Sequence, residues 1–244
     1  MSADPLDNTW IGARASRHFY VALSALFGLI VLVGFWPTYF GPLFAGTVDK
    51  IPFIHVHAAI YVCWLALFAA QTVLAATGRL RLHMKLGNIG IGYGVLVVIV
   101  GIAVSLTMFA IRVRAGQLEQ AQLNLLAPLV DMAVFAPCFG AAVYYRRRPE
   151  LHKRLMIVAT TALLIAAVGR MSFLGTPPNI WLLRLVWVSP ILLAIGYDVV
   201  KRRVVHPVYV AGLVVLIAEG AWRRGARESE TWANICAWLA QYFV

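Results

Sequence analysis

The sequence predicts an all-α fold, a polytopic bundle of transmembrane helices. Hydrophobic residues make up 61% of its 244 residues, compared with about 45–50% in an average soluble domain. Apolar runs of about 20 residues, the length that crosses a hydrocarbon core of about 30 Å, recur along the chain. We therefore expect about seven spans, or six if the last does not cross: residues 19–39, 54–76, 86–110, 125–145, 155–174, 180–200 and 207–222.

Proline residues mark several of these boundaries. Pro52 opens the second span, Pro149 precedes the fifth and Pro207 opens the seventh, as expected for a residue that is well tolerated in the first helical turn. Pro137 and Pro190 lie inside the fourth and sixth spans. Neighbouring helices can satisfy the backbone carbonyl that each internal proline leaves without a donor, so both spans remain compatible with a helix.

The domain organisation follows from the limits of these spans. Residues 1–18 are expected to form a cytoplasmic N-terminal segment, and residues 19–222 a single bundle. The seventh span has the weakest support because it is short, carries Glu219 and is followed by a basic stretch. Residues 223–244 form a tail that contains the apolar sequence TWANICAWLAQYFV, which is typical of an amphipathic helix lying along the membrane interface.

Basic residues are divided unequally between the two faces of the predicted bundle. The net charge is +11, and 13 of the 21 Lys and Arg residues fall on the face of the N-terminus, six on the opposite face and two within spans. Since cytoplasmic loops collect Lys and Arg, we expect the first face, called inner here, in the cytoplasm and the outer face with the C-terminus outside. The expected partner is thus the lipid bilayer of a cell inner membrane, and no nucleic acid is needed to explain the charge.

Histidines at the inner face are the first candidates for a cofactor site. His83 and His152 have the same predicted depth on different helices, with His18 and His206 as spare candidates at that level. A b-type haem is bound by two neutral imidazoles from opposite sides of the porphyrin, which suits such a pair. Small residues share a helical face with His83, where either a neighbouring helix or a flat cofactor could approach closely: Gly87, Gly90, Gly94, Gly101 and Ser105.

The outer face offers a second candidate, a metal site. His57 heads a helical stripe of aromatic and polar residues that should face the bundle interior, and His55 lies about 160° away from it. His57 together with His55, Asp131 or the sulfur of Met132 would suit copper or zinc. The alternative interpretation of each histidine is a lone side chain at a helix end that makes one hydrogen bond.

Ionisable side chains within spans are costly unless they face the interior and find a partner. Arg170, Arg184 and Glu219 are such residues in the outer half, as is Asp131. We expect a polar cluster in which Arg170 pairs with Asp131, or Arg184 with Glu219. A transporter of a small anionic solute would use the same two arginines.

Two sequence elements carry a resemblance to known proteins. The stretch HVHAAIYVCWLALFAAQTVLAATGRLRLHMKLGNIG, followed later by PELHKRLMIVAT, resembles a pattern of uncharacterised bacterial multi-pass membrane proteins over roughly residues 53–172. Its LHMKLG and LHKRLM elements are similar to the histidine-bearing helix starts of di-haem membrane cytochromes b. The resemblance implies that His83 and His152 are axial haem ligands. Those cytochromes have a second histidine pair on the opposite side in separate helices, which this chain lacks.

The similar basic stretches before the third and fifth spans also suggest that spans 2–3 and 4–5 are two copies of one helical hairpin.

The leading functional hypothesis is a redox-linked membrane protein with a b-type haem bound by His83 and His152, in contact with a quinone or a membrane redox partner. The alternatives are a copper- or zinc-handling protein, a structural or assembly subunit of a complex or homo-oligomer, and the transporter. Six histidines are too few for the clustered motifs of membrane di-iron hydroxylases. Whether the protein is an enzyme stays open.

Overall fold

The computed structural model of the protein describes residues 15–171, 173 and 179–243. These residues form helices and no strand, so the predicted all-α fold is confirmed. The first helix continues through a π-helical turn, Trp36–Phe40, and a short turn, Gly41–Phe44, and the fifth continues into Ile165–Val168. The helices are α1, Ala15–Phe35; α2, Pro52–Ala76; α3, Leu80–Arg114; α4, Leu118–Tyr144; α5, Pro149–Leu163; α6, Ile180–Arg202; α7, Pro207–Arg227; and α8, Glu230–Ala240.

Six helical segments in the described part of the chain are long and apolar enough to cross a membrane. They correspond to the first six predicted spans, so the multi-pass prediction is confirmed. Their bounds are His18–Phe44, Pro52–Ala76, Leu80–Arg114, Leu118–Tyr144, Pro149–Val168 and Ile180–Arg202.

The seventh helix, α7, is as long as a span but more polar. It continues to Arg227, five residues beyond the predicted end, and its last turns carry Glu219 and Arg223. It packs against α4, α5 and α6. Near its start the ring of Tyr209 lies under the guanidinium of Arg154, 5.3 Å away, at the inner end of α5. Towards its end, α7 reaches the middle of α4, where Arg223 contacts Asp131.

The outward surface of the bundle is apolar, as expected where lipid covers it. On α7, Val210, Val214 and Ile217 are exposed large hydrophobic residues. Exposed aromatic residues lie at both ends of the bundle, where Trp and Tyr are typical of a membrane interface: Tyr144 and Tyr145 at the inner end, and Trp36, Trp181, Trp222, Trp238 and Tyr242 at the outer end.

Two glycines of α3 allow close contact between helices. A Cβ atom at Gly94 would lie 2.3 Å from ring carbons of Phe139 on α4. A Cβ atom at Gly101 would lie 2.4 Å from the hydroxyl oxygen of Tyr61 on α2. This central part of the small-residue face therefore serves helix packing.

The last helix, α8, packs across the outer ends of α3 and α4. The indole nitrogen of Trp232 donates to the carbonyl oxygen of Gln122 at 3.0 Å. Cys236 is fully buried in a cluster with Phe109 and Leu125. The tail thus contains a helix, and one of its faces is covered by the bundle.

Candidate cofactor site

His83 and His152 occupy equivalent positions in two helical hairpins. Each is the fourth residue of its helix, α3 or α5, and each follows a leucine. The fold brings the two rings together, with centroids 6.5 Å apart and ring planes at 89° to each other. Two histidines that are 69 positions apart in the sequence are therefore neighbours at the inner end of the bundle.

Each of these histidines is held by a backbone carbonyl of the preceding helix. His83 Nδ1 lies 3.2 Å from the oxygen of Gln71 on α2, and His152 Nδ1 lies 2.8 Å from the oxygen of Ala142 on α4. Because a carbonyl oxygen can only accept, each Nδ1 donates its hydrogen and each Nε2 keeps its lone pair. The same contact orients most histidines that bind metals. The hairpins α2–α3 and α4–α5 thus repeat one arrangement.

A cavity of about 650 Å³ lies between these hairpins and has both histidines in its wall. Pockets for small molecules and cofactors measure roughly 300–1,000 Å³ and are mostly apolar. Gly87 and Gly90 line the cavity on the α3 side. Two lining side chains, Trp64 and Gln71, each have a buried polar atom, Nε1 and Oε1, with no hydrogen-bond partner among the described residues. The cavity wall therefore contains two imidazoles and two further polar side chains whose hydrogen-bonding capacity is not fully used.

Basic side chains surround the inner end of this cavity. Arg146 and Arg147 line it from the turn between α4 and α5, where both are exposed. Lys153 also lines it, with its Nζ 2.6 Å from Glu150 and 4.9 Å from the ring centroid of Tyr20. The described residues provide no ion-pair partner for the two arginines. This end of the cavity should therefore attract anionic groups of a ligand.

A ring of four charged residues, the charge ring, joins α5 to α6 beside the site. One terminal nitrogen of Arg154 donates to both carboxylate oxygens of Asp198 at 3.1 Å, and both side chains are fully buried. The other terminal nitrogen of Arg154 bonds Glu150. Arg202 completes the ring, 3.0 Å from Glu150 and 3.7 Å from Asp198. The charge ring was not predicted because the sequence indicates a loop between spans over residues 146–154, whereas Glu150 and Arg154 lie in α5. The signal that could have found it is the pair of opposite charges four residues apart on each helix.

The predicted metal ligands at the outer face have separate partners. His57 packs against Tyr61, with ring centroids 4.3 Å apart and ring planes tilted by 41°. His55 Nδ1 lies 3.0 Å from the hydroxyl oxygen of Tyr39, so it points towards the extension of α1. Among residues 15–171, 173 and 179–243, no group of three or more His, Cys, Asp or Glu residues could hold a metal ion. The arrangement of His57, His55 and Asp131 thus adds no support for a metal site.

An outer polar cluster does form, with an arginine that the prediction did not include. Arg223 Nη2 lies 3.1 Å from Asp131 and 2.5 Å from Glu219, and all three side chains are largely buried. The predicted pairs, Arg170 with Asp131 and Arg184 with Glu219, are wrong. The reason is that α7 continues past the predicted end of its span, which places Arg223 one turn after Glu219 and directly against α4.

Arg170 and Arg184 instead lie over aromatic rings. The guanidinium of Arg170 is 4.7 Å from the ring centroid of Phe35, and that of Arg184 is 5.6 Å from the ring centroid of Trp181. Such contacts are favourable cation–π interactions. Arg170 stays within electrostatic range of Asp131, so it belongs to the surroundings of the outer cluster without an ion pair.

The two spare inner histidines do not join the cavity. His18 is exposed near the start of α1. His206 is the cap of α7, where its Nδ1 accepts the backbone N–H of Val208 at 3.3 Å. Burial, assisted by the positive charge of Arg154, lowers the pKa of His206 to about 4. His206 is therefore neutral at physiological pH and able to accept this hydrogen bond.

Comparison with known proteins found no relative of this chain. No family model matches the chain, and neither does any curated protein or solved structure. The geometry of the chain's own residues is therefore the basis for any functional assignment.

Proposed function

We propose that this multi-pass membrane protein binds one b-type haem through His83 and His152 and takes part in electron transfer. The proposal depends on one observation: two imidazoles from different helices, each fixed at Nδ1 by a carbonyl, line one cavity with centroids 6.5 Å apart. Histidine–metal bonds are about 2 Å long. Two imidazoles on opposite sides of one iron atom would therefore have centroids roughly 6 Å apart. The observed distance suits this coordination.

The cavity also suits the porphyrin. Its wall is mostly apolar, and Gly87 and Gly90 leave room beside α3. Arg146, Arg147 and Lys153 stand at the inner end, where they would bind the carboxylates that a b-type haem carries. A bound haem would supply one-electron chemistry that no side chain here provides.

The protein's own residues would then set the properties of that group. The Nδ1–H bonds to Gln71 and Ala142 make each imidazole a stronger electron donor and fix its orientation. The apolar wall excludes water, which is a further control on reduction potential. Because the cavity lies in the inner half of the bundle, an electron partner such as a quinone would react from the inner side.

The proposal is tested by the absorption spectrum of protein that has been expressed with an ample supply of haem and purified. The wild-type protein should show a Soret band with about one haem per chain, and His83→Ala or His152→Ala should abolish it. His55→Ala is the matched control, since this histidine bonds Tyr39 far from the cavity and its loss should leave the band intact. Absence of the band from the wild type, or its persistence in both alanine variants, would overturn the proposal.

Metal analysis of the same preparation separates this function from metal handling at the outer face. Iron should be present in proportion to the porphyrin. Stoichiometric copper or zinc without a porphyrin spectrum would contradict haem binding and favour a site near His57.

A further inference from the structure

We infer that the charge ring of Glu150, Arg154, Asp198 and Arg202 positions His152 as a ligand and sets the angle between the two imidazole planes. This inference rests on the proposed haem site. The charge ring would then control the orientation of a haem ligand as well as stabilise the fold.

Helix geometry connects the charge ring to His152. His152 and Arg154 are two residues apart on α5, so their side chains leave the helix in directions about 160° apart. His152 lines the cavity on one side, and Arg154 is fully buried against Asp198 of α6 on the other. Any rotation of α5 that moves His152 would therefore pull Arg154 away from its carboxylate.

The ring also resists sliding of α5 along its axis. Glu150 and Arg154 are one turn apart on α5, and Asp198 and Arg202 are one turn apart on α6. Contacts between the helices occur at both levels, from Arg154 to Asp198 and from Arg202 to Glu150. A shift by one turn would leave a buried charge without its partner, which is strongly unfavourable. Apolar side chains at these four positions would tolerate small rotations and shifts that the ring does not.

The consequence for the cofactor is a defined ligand geometry. Ala142 fixes the Nδ1 atom of His152 on the α4 side, and the charge ring fixes the helix from the α6 side. Together they hold the ring of His152 at 89° to that of His83. Perpendicular imidazole planes give low-spin ferric haem an electron paramagnetic resonance signal with an unusually large maximum g value, whereas parallel planes give a smaller one.

The test compares substitutions in two separate buried charge clusters, the charge ring and the outer polar cluster, in haem-loaded protein. Asp198→Asn should retain haem but lower the maximum g value and shift the reduction potential, because α5 is free to rotate. Arg223→Gln is the matched control. It removes a buried arginine from the outer cluster, so it should lower the melting temperature and leave the resonance signal unchanged.

The inference is wrong if Asp198→Asn lowers the melting temperature as Arg223→Gln does but leaves the maximum g value and the reduction potential at wild-type values. The charge ring would then have only a structural role. If Asp198→Asn does not accumulate, Arg154→Lys, which keeps the charge but loses the planar donor group, is judged by the same two readouts. A wild-type protein without haem would instead defeat the proposed function itself.

Discussion

Replacement of Gly94 by alanine tests how tightly α3 and α4 are packed above the cavity. The added Cβ atom would lie 2.3 Å from two ring carbons of Phe139 and 3.0 Å from a third, whereas carbon atoms in contact are normally about 3.5–4.0 Å apart. The ring would have to move by more than about 1 Å. Moving it would disturb its stacking on Phe135 at 5.5 Å and its edge-on contact with Trp64 at 5.4 Å. Overpacking of this kind costs about 1–3 kcal/mol.

Gly92→Ala provides the control on the same helix. A Cβ atom there has no neighbour within 4 Å, and alanine favours a helix over glycine by up to about 1 kcal/mol. Thermal unfolding in detergent should therefore show a lower midpoint for Gly94→Ala and an unchanged or higher one for Gly92→Ala. Phe139→Leu should partly rescue Gly94→Ala, since it makes room for the methyl group. Equal midpoints for the two alanine variants would refute the packing argument.

Two further predictions concern ionisable groups at the two ends of α7, Arg223 and the capping residue His206. Arg223→Gln should destabilise the fold by about 3–5 kcal/mol because it leaves buried Asp131 unpaired, and Asp131→Asn in the same chain should recover part of this loss in denaturant titrations; no loss in the single variant would contradict it. The pKa of His206 is about 4 in the folded protein and about 6.5 in an unfolded chain, so the unfolded state binds more protons between these values. The free energy of unfolding should thus be undiminished above about pH 6.5 and fall as pH decreases towards 4. His206→Asn, which keeps a capping side chain without this titration, should flatten that part of the melting-temperature profile, and an unchanged profile would show that His206 does not control it.

The length of the apolar runs made the fold predictable. Runs of about 20 apolar residues identified the six segments that can cross a membrane and left the seventh open, because lipid leaves few other backbone structures available. Helix limits were less predictable. Residues 80–85 and 149–154 are polar enough to suggest loops, yet they are helical, since α3 and α5 continue beyond the hydrocarbon region.

The proximity of His83 and His152 was predictable from their similar contexts in the sequence. The sequence placed His83 and His152 at one depth, but the carbonyl contacts of their Nδ1 atoms depend on how each helix packs on the one before it. The partners of buried charges were harder to predict. Asp131 pairs with Arg223, which is 92 positions away, and only the packing of α7 on α4 identifies this partner among several arginines.

Haem binding is tested most directly by titrating haem-free protein with haem and following the absorbance. We expect saturation at one haem per chain, a low-spin six-coordinate spectrum, and loss of that spectrum when either His83 or His152 is replaced by alanine. A titration without a saturable Soret band, or a spectrum that both substitutions leave unchanged, would contradict it.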